Sequence, residues 1–108
     1  MERSKLESLL GFAARARKIQ SGGETCSINM QKHKAKLLIV AGDASNNTKD
    51  KLTSEAARYD VPFRVCSDSD TLSHITGTSG RTAFTITDEH FAECILEEID
   101  RNQGGASD

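Results

Sequence analysis

The sequence predicts an α/β protein with the architecture of a three-layer α-β-α sandwich. Segments with apolar residues at helical spacing alternate along the chain with short runs of β-forming residues. One run, Leu37 to Ala41, is continuously apolar, which is typical of a strand covered by helices on both faces of a sheet. The 108 residues contain no internal repeat, and we expect one domain over residues 1–101 followed by a flexible polar tail, 102–108.

The first half of the chain is predicted to contain three helices around this apolar strand. A capping box precedes the helix from Lys5 to Lys18, whose apolar residues fall on one face. Ile19 to Ser21 fit a very short strand, and Gly22-Gly23 breaks the chain before a second helix from about Glu24 to His33. After the apolar strand, a turn rich in Asn, Ser and Thr leads into a third helix, Lys49 to Tyr59.

The second half is predicted to add two strands and two helices. Residues that favour β-structure mark strands at Phe63 to Cys66 and at Thr82 to Thr87. Between them a short helix, Thr71 to Thr76, is closed by Gly77. Asp88 caps a final helix, and four apolar residues share one of its faces: Phe91, Cys94, Ile95 and Ile99. The pattern does not fix the order of the strands in the sheet.

Charge is distributed unevenly along the chain, although the net charge is only −2. Residues 1–58 contain 11 Lys and Arg against 6 Asp and Glu, whereas residues 59–108 contain 3 against 10. A basic half joined to an acidic half is typical of a surface that meets an anion on one side. Solvated charges that bind nothing produce the same asymmetry, so charge alone leaves both interpretations open.

Membrane, metal and disulfide chemistry have no support in the sequence. No apolar run is long enough to cross a membrane and the first residues form no signal-peptide core, so we expect a cytoplasmic protein. The three cysteines form no CxxC pair, and the three histidines are equally scattered. We therefore expect no disulfide, metal or cofactor. No motif joins a nucleophile to a base, which predicts that the protein is not an enzyme.

The segment Gly22-Gly23-Glu24-Thr25 is the strongest local candidate for a binding site. Glycines before a helix leave its first backbone N–H groups accessible, which favours a phosphate at that position. Two glycines between elements also serve as plain connectors, and neither Walker spacing nor a GxGxxG pattern is present. The segment is therefore an anion-binding hypothesis with a plain structural alternative.

Basic residues flank this segment along the chain. Arg15 and Lys18 precede it. Four further candidates for phosphate contacts follow at the end of the second helix: Lys32, His33, Lys34 and Lys36. Cations near the carboxyl end of a helix also stabilise its dipole without binding a partner. It is their number that favours a role in phosphate binding.

Several segments, taken in order, resemble the bacterial YlxQ branch of the L7Ae family. The resemblance lies in Leu9–Lys18, Ser21-Gly22, Asp43–Thr48 with Lys51, Tyr59–Pro62, the short helix ending at Gly77, and Thr82–Phe91. It spans nearly the whole chain. The resemblance implies an α-β-α sandwich with a four-stranded mixed sheet, and the binding of kink-turn RNA by three elements.

In this sequence the three elements implied by the resemblance are Gly22–Thr25, Asp43-Ala44 and Leu72 to Gly77. The first presents a helix N-terminus to the bent RNA backbone, polar side chains read exposed base edges, and an apolar loop covers an extruded base. Bulges and unpaired bases of RNA are easier to read than its duplex. We therefore assign RNA contacts to eleven residues: Arg15, Lys18, Gly22, Gly23, Glu24, Thr25, Lys34, Asp43, Ile75, Thr76 and Gly77.

The second helix departs from the family motif Gly-x-Asn-Glu-x-x-Lys. With Glu24 at the Glu position, Gly23 stands at the Asn position and Ser27 at the Lys position. A shift by one residue instead puts Glu24 at the Asn position and Ile28 at the Lys position. The Lys is missing in both alignments, which the YlxQ branch shares, and this implies an altered RNA target.

Two functions from different classes follow. We expect non-catalytic binding of a structured RNA, either a kink-turn or a bent stem-loop and with ribosomal RNA among the candidates, by a protein that is monomeric when free. The alternative is a protein-interaction module in which Arg15, Lys18 and Lys34 contact an acidic protein.

Overall fold

The computed structural model describes residues 4–107, with side chains as far as Arg101, and within them it contains four strands and five helices. The helices are α1 Lys5–Arg15, α2 Gly23–Gln31, α3 Asn46–Arg58, α4 Ser69–Thr76 and α5 Glu89–Ser107. The strands are β1 Ile19–Ser21, β2 Leu37–Val40, β3 Phe63–Val65 and β4 Ala83–Ile86. The predicted α/β class is confirmed.

The strands form one mixed sheet in the order β1-β4-β2-β3. β4 pairs antiparallel with both β1 and β2, whereas β2 and β3 are parallel. The last strand of the chain is therefore inserted between the first two. This insertion is the part of the topology that the sequence pattern left open, and it agrees with the mixed sheet that the resemblance implied.

The strand directions give the sheet two different edges. At one edge β1, β2 and β3 end and β4 begins, and we call its segments the carboxyl-terminal rim: Gly22–Thr25, Ala41–Asp43, Cys66–Asp68 and Gly77–Thr82. At the other edge β1, β2 and β3 begin and β4 ends, and we call its segments the amino-terminal rim: Arg15–Lys18, Lys32–Lys36, Tyr59–Pro62 and Thr87–Glu89.

Helices cover both faces of the sheet, which confirms the predicted three layers. On one face α1, α4 and α5 pack over Leu37, Ile39, Phe84 and Ile86. On the other face α2 and α3 pack over Leu38, Val40 and Ala83. All four residues of β2 are completely buried. Alternate side chains of this strand enter opposite cores, which explains why the sequence is apolar at every position.

The helix starts differ in how they are capped. Side-chain oxygens cap α1, α3, α4 and α5 by accepting a backbone N–H of the first turn; the residues are Ser4, Ser45, Asp68 and Asp88. The start of α2 has Gly22 at the N-cap position, and no side chain caps it. The predicted caps at Asp88 and Ser4 are therefore confirmed, and α2 is the exception.

Helices α1, α2 and α3 end earlier than the sequence pattern predicts. Arg17, His33 and Asp60 adopt left-handed backbone conformations with φ of 61°, 60° and 58°. Each lies inside a pair of closing hydrogen bonds, as in Lys18 N to Ala13 O (2.8 Å) beside Arg17 N to Ala14 O (3.0 Å). The spacing of apolar residues does not indicate where such a left-handed residue ends a helix.

The last helix continues beyond the predicted end of the domain. The backbone of α5 is helical through Ser107, into the segment 102–108 for which a flexible polar tail was predicted. The flexibility of this tail stays a prediction. Residues 1–3 of the predicted domain and Asp108 of the predicted tail lie outside the described residues.

A buried amide fixes α2 on the sheet. Asn29 is only 6 % exposed, and its Nδ2 donates to Gln20 Oε1 (2.8 Å) on β1 and to Thr85 Oγ1 (3.0 Å) on β4. A buried polar group that loses its partner costs more free energy than the hydrogen bond itself contributes. This network therefore holds the last turn of α2 against β1 and β4.

We predict that Asn29→Ala lowers the free energy of unfolding by about 1–3 kcal/mol, because the fully buried Thr85 hydroxyl loses its donor. Urea unfolding followed by circular dichroism measures the change. Asn47→Ala, at an exposed position in the first turn of α3, is the matched control and should have less effect. Equal stability of the two variants would contradict the role given to Asn29.

Candidate nucleic-acid interface

The carboxyl-terminal rim brings together the chain segments that the resemblance implied for RNA contact. Backbone hydrogen bonds join them: Gly22 N to Ala83 O (2.9 Å), Ala41 N to Thr82 O (2.8 Å) and Gly42 N to Ser67 O (3.0 Å). The start of α2, the turn after β2 and the loop before β4 are thus held side by side. The proximity of three segments that are distant in sequence follows from the position of β4 between β1 and β2.

The first turn of α2 presents backbone N–H groups to this rim. Gly22 uses its own N–H in the bond to Ala83, and its carbonyl accepts from Cys26 N (2.9 Å). Among the described residues no acceptor bonds the N–H groups of Gly23, Glu24 or Thr25. Gly23 and Glu24 are exposed. A helix start with free donors and the positive end of the helix dipole attracts anions.

Glycine is required at position 22 and not at position 23. Gly22 has φ of 106°, a conformation that L-residues rarely adopt, and a Cβ there would lie 3.0 Å from Arg81 Nη1. Gly23 lies within α2, and a Cβ added to it would meet nothing within 4 Å. The two adjacent glycines therefore have different roles, since Gly22 makes the turn and Gly23 keeps the helix start open.

Arg81 is a candidate contact that the sequence did not reveal. Its guanidinium lies over Gly22, and the side chain is exposed. Its carbonyl accepts from Ser73 Oγ (3.1 Å) and its N–H donates to the same oxygen (3.0 Å), which fixes the backbone before β4. Arg81 is 59 residues from Gly22 in the sequence. Only the strand order shows that they are neighbours, and that order was left open.

A groove between α2 and α3 adjoins the same helix start. It has a volume of about 290 Å³ and is lined by Gly23, Glu24, Ser27, Thr48, Lys51 and Leu52. Ser27 Oγ donates to Glu55 Oε1 (2.5 Å) across the two helices. Glu24 thus provides a carboxylate and Lys51 an ammonium group at the wall of one groove. This combination can accept a hydrogen bond from a base and attract a phosphate.

Asp43, predicted to contact RNA, uses its carboxylate within the protein. Oδ1 accepts from Ser69 N (2.9 Å) and Oδ2 accepts from Ser69 Oγ (2.7 Å). These bonds hold the pKa of Asp43 below its usual value, with a smaller contribution from Lys49. Ala44 is buried. The side chain of Asp43 therefore ties the turn after β2 to the start of α4.

The third predicted segment, Leu72 to Gly77, is mostly helix rather than loop. α4 extends to Thr76, and Leu72 is buried in the core. The Thr76 hydroxyl bonds back to Leu72 O (2.9 Å). Ile75 is half-buried beside α1, so it does not form the predicted apolar loop. Gly77, at φ of 74°, is exposed and begins the connection to β4 that contains Arg81.

Three of the predicted RNA contacts lie at the other end of the sheet. Lys18 O accepts from Thr87 N (2.8 Å) where β1 begins, and Arg15 is at the carboxyl end of α1 just before it. Lys34 N closes the carboxyl end of α2 on Asn29 O (2.8 Å). The structure therefore separates Arg15, Lys18 and Lys34 from Gly22–Thr25 by the length of a strand. These three residues thus lie at a different rim from the start of α2, and the assignment of RNA contacts to them stays a prediction.

The position of the missing motif lysine differs between the two possible alignments. Ser27 is buried and bonded to Glu55, whereas Ile28 is 42 % exposed. In the first alignment a small polar residue is packed under α3. In the second an apolar side chain stands on the surface. Neither position supplies a cation, so the positive charges near the helix start come from Arg81 and Lys51 instead.

The thiols of the core are unsuited to nucleophilic chemistry. Burial raises the pKa of Cys26 to about 12, and burial also raises the pKa of Cys66. Both are therefore neutral at physiological pH.

Within residues 4–101 no group of three or more His, Cys, Asp or Glu side chains is placed to hold a metal ion. In the same part of the chain, no helix has the length and hydropathy needed to span a membrane.

The chain is similar to proteins already known. It matches the model of the ribosomal protein L7Ae/L30e/S12e/Gadd45 family over residues 4–96. RNA-binding protein YlxQ of Bacillus subtilis (strain 168) is 34 % identical to it over 92 residues, which are 85 % of this chain and 92 % of the relative. RNA-binding protein YlxQ of Enterococcus faecium is 37 % identical over 99 residues, 91 % of this chain and 94 % of the relative.

A solved structure also matches the fold. A Bacillus halodurans protein described as having unknown function aligns with a TM-score of 0.88 and 32 % identity. The alignment covers 91 % of this chain and 99 % of that one. The mixed sheet and its helices are therefore shared over nearly their whole extent.

We predict that Asp43→Ala lowers the melting temperature at pH 7, because the turn after β2 loses its bonds to Ser69. The pKa of Asp43 is lowered by folding, so its charge stabilises the fold above the unfolded pKa of about 3.9. That contribution is lost as the pH falls through the folded pKa. The melting temperatures of wild type and variant should therefore converge below about pH 4.

Thermal unfolding between pH 7 and pH 3 measures this convergence. Asp50→Ala removes another exposed aspartate, on α3, for which no side-chain hydrogen bond is found among the described residues. It serves as the control and should show a smaller difference at pH 7. A constant gap between wild type and Asp43→Ala over the whole pH range would contradict the assigned role.

Proposed function

Because the chain belongs to the ribosomal protein L7Ae/L30e/S12e/Gadd45 family, we propose that it binds structured RNA and catalyses no reaction. The observation that carries this proposal is the uncapped start of α2, whose free N–H groups lie beside the Arg81 guanidinium. The relatives from Bacillus subtilis and Enterococcus faecium are named RNA-binding proteins, which supports the same function.

The carboxyl-terminal rim suits a bent or interrupted RNA better than a regular duplex. It consists of a helix start and loops with an adjoining groove, so the surface is uneven. The major groove of an A-form duplex is too deep and narrow for side chains to read, and sequence is read at unpaired bases. We propose a kink-turn or bent stem-loop, with its backbone at the N–H groups of Gly23–Thr25 and an unpaired base beside Glu24.

The departure from the family motif favours a target other than the standard kink-turn. The cations beside the helix start are Arg81 and Lys51, which come from the loop before β4 and from α3. A phosphate held by these groups would lie nearer to β4 or α3 than one held by a lysine of α2. We propose a monomer in the cytoplasm as the active form and ribosomal RNA as the first RNA to test.

The neutral thiols support a binding protein over an enzyme. Cys26 and Cys66 have raised pKa values and are at least partly enclosed by the core, so neither is an activated nucleophile. Glu24 and Lys51 are better placed to contact a ligand than to transfer a proton, because they line an open groove in which the Ser27 hydroxyl donates to Glu55 and to neither of them.

We predict that Gly23→Leu weakens binding to every structured RNA by about tenfold or more, because its side chain covers the free N–H groups. The open space around Gly23 means that the fold should tolerate the change. Glu24→Ala should instead cost about 1–3 kcal/mol for the preferred RNA only, as for a lost contact to a base edge. Filter binding with bulged and fully paired stem-loops separates the two effects.

Ser54→Leu adds the same bulk at an exposed position of α3 and is the matched control. It should bind RNA like the wild type. If all three variants fold and bind every RNA equally well, the helix start is not an RNA site. In that case contact with an acidic protein becomes the better function for this chain.

We predict that Arg81→Gln lowers RNA affinity by about 1.5–3 kcal/mol and reduces the slope of log K against log salt by about 1, because one charge-assisted phosphate contact is lost. Titrations between 50 and 300 mM salt measure both quantities. Arg101→Gln removes an exposed arginine of α5 that pairs with Glu97 and Glu98, and it should leave both unchanged. An unchanged slope for Arg81→Gln would exclude a phosphate contact at this residue.

A further inference from the structure

The amino-terminal rim carries a second concentration of positive charge. We call it the basic cluster, and its members are Arg15, Arg17, Lys18, Lys32, Lys34 and Lys36. All six side chains are exposed. They lie where α1 and α2 end and where β1 and β2 begin, at the opposite edge of the sheet from the start of α2.

Hydrogen bonds around the end of β4 hold the two halves of the basic cluster together. Lys18 O accepts from Thr87 N (2.8 Å), and Lys36 N donates to Ile86 O (2.7 Å). β1 and β2 are two strand spacings apart in the sheet, so the backbones at Lys18 and Lys36 are about 10 Å apart. Arg15–Lys18 precede β1 and Lys32–Lys36 follow α2, and these two segments thus form one continuous patch.

The basic cluster is not neutralised by neighbouring carboxylates. Within residues 4–101, none of its six members forms an ion pair, whereas Lys5, Arg64 and Arg101 do. Three carboxylates do adjoin the cluster at Lys36, where Asp60, Glu89 and Glu93 line a cavity of about 340 Å³ together with Lys36 and His33. These carboxylates come from α5 and from the segment after α3, and the other five members of the cluster do not line the cavity.

Helix dipoles account for only part of the cluster. Arg15 and Lys32 lie at the carboxyl ends of α1 and α2, where a cation is stabilising. Lys34 and Lys36 lie beyond the last turn. Arg17 has φ of 61°, where glycine is unstrained and an arginine is disfavoured. The backbone conformation therefore does not by itself favour an arginine at this position.

An exposed aromatic side chain adjoins the basic cluster. Phe12 is 56 % exposed, although most large apolar side chains of the described residues are buried. It precedes Arg15 by three residues on α1, so the two side chains are neighbours on one side of the helix. An aromatic ring beside cations can stack a base while the cations hold its phosphates.

We propose that the basic cluster and Phe12 form a second RNA-binding surface, which takes an unpaired RNA segment by its backbone and stacks a base on Phe12. The proposal rests on the proposed function only in the choice of RNA as the polyanion. Because the two surfaces lie at opposite edges of the sheet, the protein joins a structured RNA at one rim to a single-stranded segment at the other. Base stacking and phosphate contacts are tolerant of sequence, so this second surface selects unpaired RNA more than a particular motif.

The experiment uses a labelled 12-nucleotide oligouridylate, which has no secondary structure, and the full chain. We expect salt-dependent binding with a log–log slope no steeper than about −4, since six cations contribute about 0.7 each on a single strand. Lys32→Gln/Lys34→Gln should reduce the affinity at least fivefold and make the slope shallower by about 1.4. Lys5→Gln/Arg101→Gln, which removes the same charge from exposed residues outside the cluster, should change neither.

Two further variants, each with a control, separate contact from folding. Phe12→Ala should reduce the affinity about tenfold without changing the salt slope, whereas Val65→Ala, at an exposed apolar position on β3, should not. Arg17→Gly should weaken oligouridylate binding while it raises the melting temperature by about 2–5 °C, because the strain at positive φ is relieved. Asp60→Gly, at φ of 58°, should raise the melting temperature without weakening binding.

The two surfaces are tested independently by Gly23→Leu, which should leave oligouridylate binding intact. The proposal is overturned if the wild type does not bind oligouridylate, if Lys32→Gln/Lys34→Gln binds it as well as the wild type does, or if Gly23→Leu abolishes it. Loss of stem-loop binding alone in Gly23→Leu supports both sites. Failure of the structured RNA to bind while oligouridylate still does would refute the proposed function and leave the second surface standing.

Discussion

The pairing of β4 between β1 and β2 is the interaction on which both surfaces depend. Its ladder with β1 joins residues more than 60 positions apart, as in Ser21 opposite Phe84, and this ladder brings the start of α2 beside the loop before β4. The same pairing holds the ends of α1 and α2 together at the other edge, through Thr87 and Ile86. Because the strand is buried on both faces, a shift of its register by one residue would move each side chain into the opposite core.

The sequence was sufficient to predict the elements, because each is encoded locally. Runs of apolar or β-forming residues located the strands, helical spacing located the helices, and Ser4 and Asp88 were identified as caps from their positions alone. The observed helix ends differ from the predicted ones where the chain turns at Arg17 and His33. The left-handed conformations of these residues depend on closing hydrogen bonds and not on residue type. The strand order depends on distant pairings, and no local pattern contains it.

The sequence predicted only those parts of the candidate site that lie within one short segment of the chain. Gly22–Thr25 is one continuous segment, so its exposure at a helix start could be anticipated. The position of Arg81 over Gly22 could not, because it requires the strand order. For the same reason Arg15, Lys18 and Lys34 were grouped with a segment that is near them in sequence. A three-residue strand moves the chain about 10 Å, which places neighbours in sequence on different surfaces.

The two ends of α2 show how one helix serves both surfaces by opposite means. At its start the backbone is itself positive, so Gly22 and Gly23 attract an anion best by leaving the N–H groups uncovered. At its end the backbone is negative, and an anion can approach only if side chains reverse the sign, which Lys32 and Lys34 do. Glycines at one end and lysines at the other are therefore two solutions to the same electrostatic requirement. The net charge of −2 does not reveal this, because α5 carries much of the acidic half of the chain.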